Sequence, residues 1–317
     1  MYRFLTLLII TFSINTSSRS YIDYESPYHP VVGKSGMVVS QNYLSSDIGI
    51  EILSMGGNAV DAAVAVGFSL AITLPRAGNL GGGGFMLVYI KEKNEIFYID
   101  YRSKSPLNSN LENIFNIKDD SGKNYETVPK NFDSKKYDLV DTGYKASAVP
   151  GTVAGLLEAH SRFGKLKLKD ILEPVIKQAK QGIVVSYDLS KAIESTPRLA
   201  NDPESKKIYF DNDTPIQQYS LLKLPDLANT LTLISKHGKD GFYKGETAKK
   251  IVEAMQKNNG LMSLNDFSDY KAYIKKPIST EYRGNKVYTA GPPSGGGITL
   301  LTALNILSYF DLAKYKS

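Results

Sequence analysis

The chain has 317 residues, with 38 Lys and Arg against 32 Asp and Glu for a formal charge of +6. Its 42% hydrophobic and 22% charged content suffices for a sizeable core and excludes a wholly disordered chain. The absence of cysteine removes disulfides, thiolate metal sites and a cysteine nucleophile, and the scattered cations read as a solvated, mildly basic face rather than a nucleic-acid surface.

In chain order, residues 1–12 place one cation before a short apolar run, and small polar residues follow over 13–20. That is the pattern of a secretory signal peptide over residues 1–20, with Ser18 or Ser20 at the cleavage point. The run is too short to cross ~30 Å of hydrocarbon, so an exported protein without a stable membrane anchor, periplasmic or secreted from a bacterium, is expected. An apolar stripe at Leu44, Ile48, Ile52 and Met55 then predicts a helix ended by Gly56-Gly57. Asn58 caps a second helix over 59–74, apolar almost all round and read as buried in a soluble fold. A loop over 75–84 leads into a strand over 85–91, apolar on both faces and therefore expected to be covered on both. Glu92-Lys-Asn94 makes a hairpin loop, 95–102 the partner strand, and the polar stretch 108–141 a surface excursion.

Beyond Gly151, the face of Val153, Leu156, Leu157 and His160 predicts a helix that Gly164 ends. Further helices are expected at 168–181, 225–236 and 245–258, strands at 273–283 and 286–290, and a last helix at 298–309. Helix and strand intersperse through residues 21–317 with no shift in composition, as in one α/β or α+β body.

The glycine run 81–84 does not fit a dinucleotide loop, because Met86 occupies the third glycine position and the run precedes a strand. What it supplies is backbone that another segment can approach closely. Gly33-Lys34-Ser35 lacks the upstream glycine of a phosphate loop and reads as a turn. The three histidines have no metal spacing: His160 lies on an apolar stripe as a structural residue, His237 at a helix end and His29 in a loop. Arg102 closes a strand just before Ser103-Lys-Ser-Pro106. From position alone it is either an ordinary surface arginine or a guanidinium that grips a substrate carboxylate in two parallel hydrogen bonds.

The combination of motifs is more specific than its parts. Gly56-Gly-Asn-Ala-Val-Asp-Ala-Ala63 followed by Gly78-Asn-Leu-Gly-Gly-Gly-Gly-Phe-Met86 resembles the large subunit of γ-glutamyltranspeptidases. The likeness continues through Asp100-Tyr-Arg102, Val149-Pro-Gly-Thr-Val-Ala-Gly155, Gly241-Phe-Tyr-Lys-Gly245, Tyr282-Arg-Gly284, Pro292-Pro-Ser294 and Leu304-Asn-Ile-Leu307, in the family's order from about residue 30 onward. Gly291, Gly295 and Leu74 depart from the family's usual residues.

The resemblance implies an α+β N-terminal-nucleophile hydrolase fold, a four-layer αββα sandwich, incomplete in this chain. It implies a self-cleaving precursor whose small subunit begins with a threonine nucleophile and which needs no cofactor or metal. Glutathione and other γ-glutamyl compounds would be donors, and water, amino acids or peptides acceptors. Arg102 is the position that would bind the α-carboxylate of the γ-glutamyl group. The family's nucleophile stands in a Thr-Thr-His type sequence, and this chain contains no Thr-Thr pair. A truncated large subunit, inactive and poorly soluble by itself, is therefore expected. Two further readings stand beside it: a related acylase, of cephalosporin-acylase or capsule-depolymerase type, and a non-catalytic remnant.

Overall fold

The computed structural model describes residues 32–110 and 143–314. The expected signal peptide, His29 and nearly all of the excursion over 108–141 lie outside the described residues. The core and the candidate site lie in the unit that begins at Val38.

Helix α1, Tyr43–Ser54, starts where Asn42 Oδ1 accepts the Leu44 N–H at 3.0 Å. Ile48 and Ile52 enter the core, whereas Met55, expected on the same stripe, caps the helix and stays exposed. Helix α2, Ala59–Thr73, is buried on nearly every side, as its sequence predicts. Its start is a reciprocal cap, in which Asn58 Oδ1 accepts the Val60 and Asp61 N–H groups and Asp61 Oδ2 accepts the Asn58 N–H at 2.9 Å. The fully buried Asp61 also accepts the N–H groups of Lys165 and Leu166, pinning the next helix's exit loop to α2. His160 bonds the Leu166 carbonyl at 2.8 Å in the same knot, in keeping with a structural role.

Strands β1, Gly84–Ile90, and β2, Glu95–Tyr101, form the expected hairpin. β2 stops one residue short of the expected end because the Arg102 N–H turns to Asp100 Oδ1 at 3.1 Å instead of continuing the ladder. Side chains alternate across the sheet, so Met86, Val88, Ile90, Phe97 and Ile99 share the face that meets the core. The opposite face carries Phe85, Leu87, Tyr89, Tyr98 and Asp100. Leu87 and Tyr89 are 41% and 56% exposed, so the expectation of cover on both faces is corrected: only one face is packed along that part of β1. On the other face Tyr98 is buried, with its hydroxyl on Gly291 O, whereas the part at Leu87 and Tyr89 stays open.

Helices α3, Thr152–Phe163, and α4, Leu168–Gln181, follow as expected and pack with α2. Next come β3, Ile183–Val184, α5, Tyr187–Glu194, α6, Pro203–Tyr209, β4, Phe210–Asp211, β5, Thr214–Pro215, and β6, Leu221–Leu222. None of these short elements has a periodic stretch long enough to stand out in sequence. Helices α7, Pro225–His237, α8, Asp240–Tyr243, α9, Gly245–Lys257, and α10, Leu264–Asp269, complete the helical part. α10, not among the helices expected from the sequence, starts at a Ser263/Asp266 reciprocal cap.

The single strand expected over 273–283 is two. β7, Tyr273–Lys275, joins the first sheet in the order β1-β2-β7, whereas β8, Ile278–Tyr282, pairs with β9, Asn285–Thr289, in a separate hairpin. Pro277 stands at the break, where a residue without an N–H cannot extend the ladder. The last helix, α11, Gly295–Leu307, begins three residues before the expected start. It is apolar, yet Ile298, Leu300 and Ile306 remain exposed. No helix among the described residues is long and apolar enough to cross a membrane.

Candidate functional site

Of the motifs singled out in the sequence, the Gly78–Met86, Asp100–Arg102, Val149–Gly155, Gly241–Gly245 and Pro292–Ser294 blocks converge on the end of β2. The glycine run reaches it first: Gly82 O accepts the N–H groups of Gly151 and Thr152 at 2.7 and 3.1 Å. That joins the Gly78–Met86 block to the start of α3. A Cβ on Gly83 would collide with the Ser103 N and Tyr101 O, and one on Gly151 with Tyr101 O and the Tyr270 phenol. Glycine is needed at both places because the Tyr101–Ser103 backbone passes between them.

Asp100 is the buried carboxylate of the site. Its Oδ1 accepts the Arg102 N–H, and its Oδ2 accepts the Lys275 ammonium at 2.6 Å. Lys275 also donates to the Pro292 carbonyl at 3.4 Å, tying the Pro292-Pro-Ser294 block to β2. Tyr98, on the same face, donates to Gly291 O at 3.3 Å; burial, then the Asp100 charge, pushes its phenol up to about 12.

From behind, the Tyr270 phenol donates to Arg102 O at 2.8 Å. Its ring stacks on Tyr243 with centroids 5.7 Å apart and planes 5° from parallel. Tyr243 belongs to the Gly241–Gly245 block; its hydroxyl donates to Pro150 O at 2.8 Å and accepts the Ala154 N–H at 3.2 Å. Burial raises both phenols well above the ordinary tyrosine value, so each is a fixed, neutral donor. Lys239 donates to Tyr270 O at 2.5 Å, and burial, followed by the Lys271 charge, lowers its pKa.

Arg102 is thus held by its backbone from three sides: Asp100 on its N–H, Tyr270 on its carbonyl, and Gly83 against the chain. Its side chain is exposed, and no carboxylate among the described residues pairs with it. A guanidinium with a fixed root and free donors can accept a planar carboxylate in two parallel bonds. Sequence alone points to a ligand-binding role only for Arg102. Tyr270 and Lys275 lie 168 and 175 residues from their partners in the site and carry no local motif.

The sequence profile of the γ-glutamyltranspeptidase family matches residues 45–317, the whole of the region just described. The chain belongs to the γ-glutamyltranspeptidase family. Among curated relatives, the glutathione hydrolase proenzyme of Escherichia coli K12 is 42% identical over 298 residues, covering 93% of this chain and 49% of that protein. The acylase ACY 1 proenzyme of Pseudomonas sp. SE83 is 34% identical over 291 residues, covering 92% of this chain and 50% of that one. The crystal structure of Helicobacter pylori γ-glutamyltranspeptidase superposes with a TM-score of 0.80 at 35% identity, covering 90% of this chain and 78% of that one. The chain spans about half the length of the curated relatives it matches, 49% for the E. coli protein. It corresponds to the N-terminal, large-subunit portion of this family of enzymes.

Proposed function

We propose that residues 21–317 form the donor-binding half of an exported γ-glutamyl transferase and glutathione hydrolase, and that Arg102 binds the α-carboxylate of the γ-glutamyl group. The observation that carries this reading is the exposed guanidinium at the end of β2, rooted by Asp100 and Tyr270 and without a carboxylate partner among the described residues. Residues 1–20 would be the signal peptide that directs export.

In this reading the nucleophile is a threonine at the start of a small subunit released by self-cleavage. Its own α-amine takes the hydroxyl proton, and the oxygen attacks the γ-amide carbonyl held in register by Arg102. Backbone N–H groups of the small subunit stabilise the oxyanion. The leaving amine departs protonated, and water, an amino acid or a peptide takes the γ-glutamyl group from the threonine ester. The small subunit would also lay a second sheet on the face of Leu87 and Tyr89, completing the αββα sandwich.

A related acylase would keep the acyl transfer but need no α-carboxylate partner. The exposed Arg102 guanidinium, with no carboxylate partner among the described residues, favours the γ-glutamyl donor. In the processed complete precursor, Arg102→Ala is expected to raise the KM for γ-glutamyl-p-nitroanilide by roughly 10- to 100-fold with little change in kcat, the loss of a charged hydrogen-bonded partner. An unchanged KM would contradict the assignment.

A further inference from the structure

Two cations leave the end of β2 without a carboxylate partner among the described residues. Arg102 is one and Lys104 the other. Their Cα atoms are two residues apart, at most ~7 Å along an extended chain. The Lys104 backbone is fixed by a two-way bridge to Val149, at 3.2 Å from its N–H and 2.8 Å to its carbonyl. Its ammonium donates to the Tyr273 phenol at 2.8 Å and stands 4.5 and 5.3 Å from the ring centres of Tyr273 and Tyr270.

That cradle places the charge over the end of the sheet, because Tyr273 pairs directly opposite Asp100 in the ladder. The Lys104 ammonium lowers the Tyr273 phenol's pKa, as a close cation must. Asp100 is paired with Lys275 and accepts the Arg102 N–H, and it forms no ion pair with Lys104. The sheet end therefore brings Arg102 and Lys104 beside a carboxylate that already pairs with Lys275, and among the described residues neither cation has an acidic partner. The aromatic rings hold the lysine's stem in place beforehand, so an incoming anion meets an already ordered partner. A monoanionic ligand would satisfy only one of the two. Two carboxylates on one molecule would satisfy both.

We infer that Lys104 binds a second carboxylate on the leaving-group side of the donor, so that the site selects γ-glutamyl peptides with a free C-terminal carboxylate. This rests on the reading of Arg102 as the partner of the α-carboxylate.

The test compares glutathione with its glycyl monoethyl ester, which differs only in that second carboxylate, in the processed complete precursor. The wild-type KM for the ester is expected about fivefold above that for glutathione, as for one partly exposed charged contact. Added salt should compress that ratio. Lys104→Met and Lys104→Gln should each bring the ratio to near one by raising the glutathione KM, and Lys104→Arg should keep it. Arg102→Ala should raise both KM values and preserve the ratio. A wild-type ratio of one, or a ratio unmoved in the uncharged Lys104 variants, would overturn the role of Lys104. Failure of Arg102→Ala to raise either KM would instead overturn the underlying reading of Arg102, and the two failures have different signatures.

Discussion

The role proposed for Arg102 rests on what holds its backbone, and those supports titrate. Tyr101, Tyr243 and Tyr270 all meet at the end of β2, and burial raises each phenol above its ordinary value of 10.0, Tyr101 to about 12. A raised phenol pKa stabilises the fold at any pH below the unfolded value, where the group is protonated in both states. Above pH 10 the unfolded chain releases those protons while the folded one keeps them, so stability falls as pH rises. Urea unfolding of the complete precursor should therefore show a midpoint that declines from about pH 10 upward, and Tyr270→Phe should shallow that decline. A flat midpoint between pH 9.5 and 11.5 would show that these phenols ionise freely in the folded protein.

At the scale of elements, the knot at the start of α2 is the firmest local feature, because one buried carboxylate closes three backbone donors. Asp61→Ala would leave the Asn58, Lys165 and Leu166 N–H groups without their acceptor. A loss on the order of 2–4 kcal/mol in denaturant unfolding is expected from the cap and the stranded donors. A loss below 1 kcal/mol would mean that water reaches them. The cap, α2 and the β1–β2 hairpin were legible in sequence because their signals are local: Asn58 before an apolar helix, and Glu92-Lys-Asn94 between two apolar strands. The division of 273–283 was less so, since the run is strand-like throughout and only Pro277 interrupts it. The open face of β1 was misread for a deeper reason. A run that is apolar on both faces records which faces are made to be covered, not whether the covering layer lies among the described residues. Within the site, Asp100-Tyr-Arg102 could be read directly, whereas Lys275, Tyr270 and Tyr273 arrive through long-range packing that no short motif encodes.

At the scale of the molecule, two elements among the described residues present apolar side chains to solvent. Leu87 and Tyr89 on the sheet, with Ile298, Leu300 and Ile306 on α11, form exposed faces suited to burial against another layer. Residues 21–317 expressed by themselves are expected to self-associate and bind a hydrophobic dye, and to be soluble only with the small-subunit half of the precursor. A monodisperse, cooperatively melting monomer on size exclusion and calorimetry would contradict the proposal that another layer belongs there. The central proposal, however, concerns which end of the donor this half grips. It is tested most directly by competitive inhibition with L-glutamate and with 4-aminobutyrate, which lacks the α-carboxylate, in the processed complete precursor. Binding through Arg102 predicts that wild type prefers glutamate by roughly 10- to 100-fold, and that Arg102→Ala erases the preference by weakening glutamate alone. Equal inhibition by the two compounds in wild type, or a preference that survives Arg102→Ala, would contradict it.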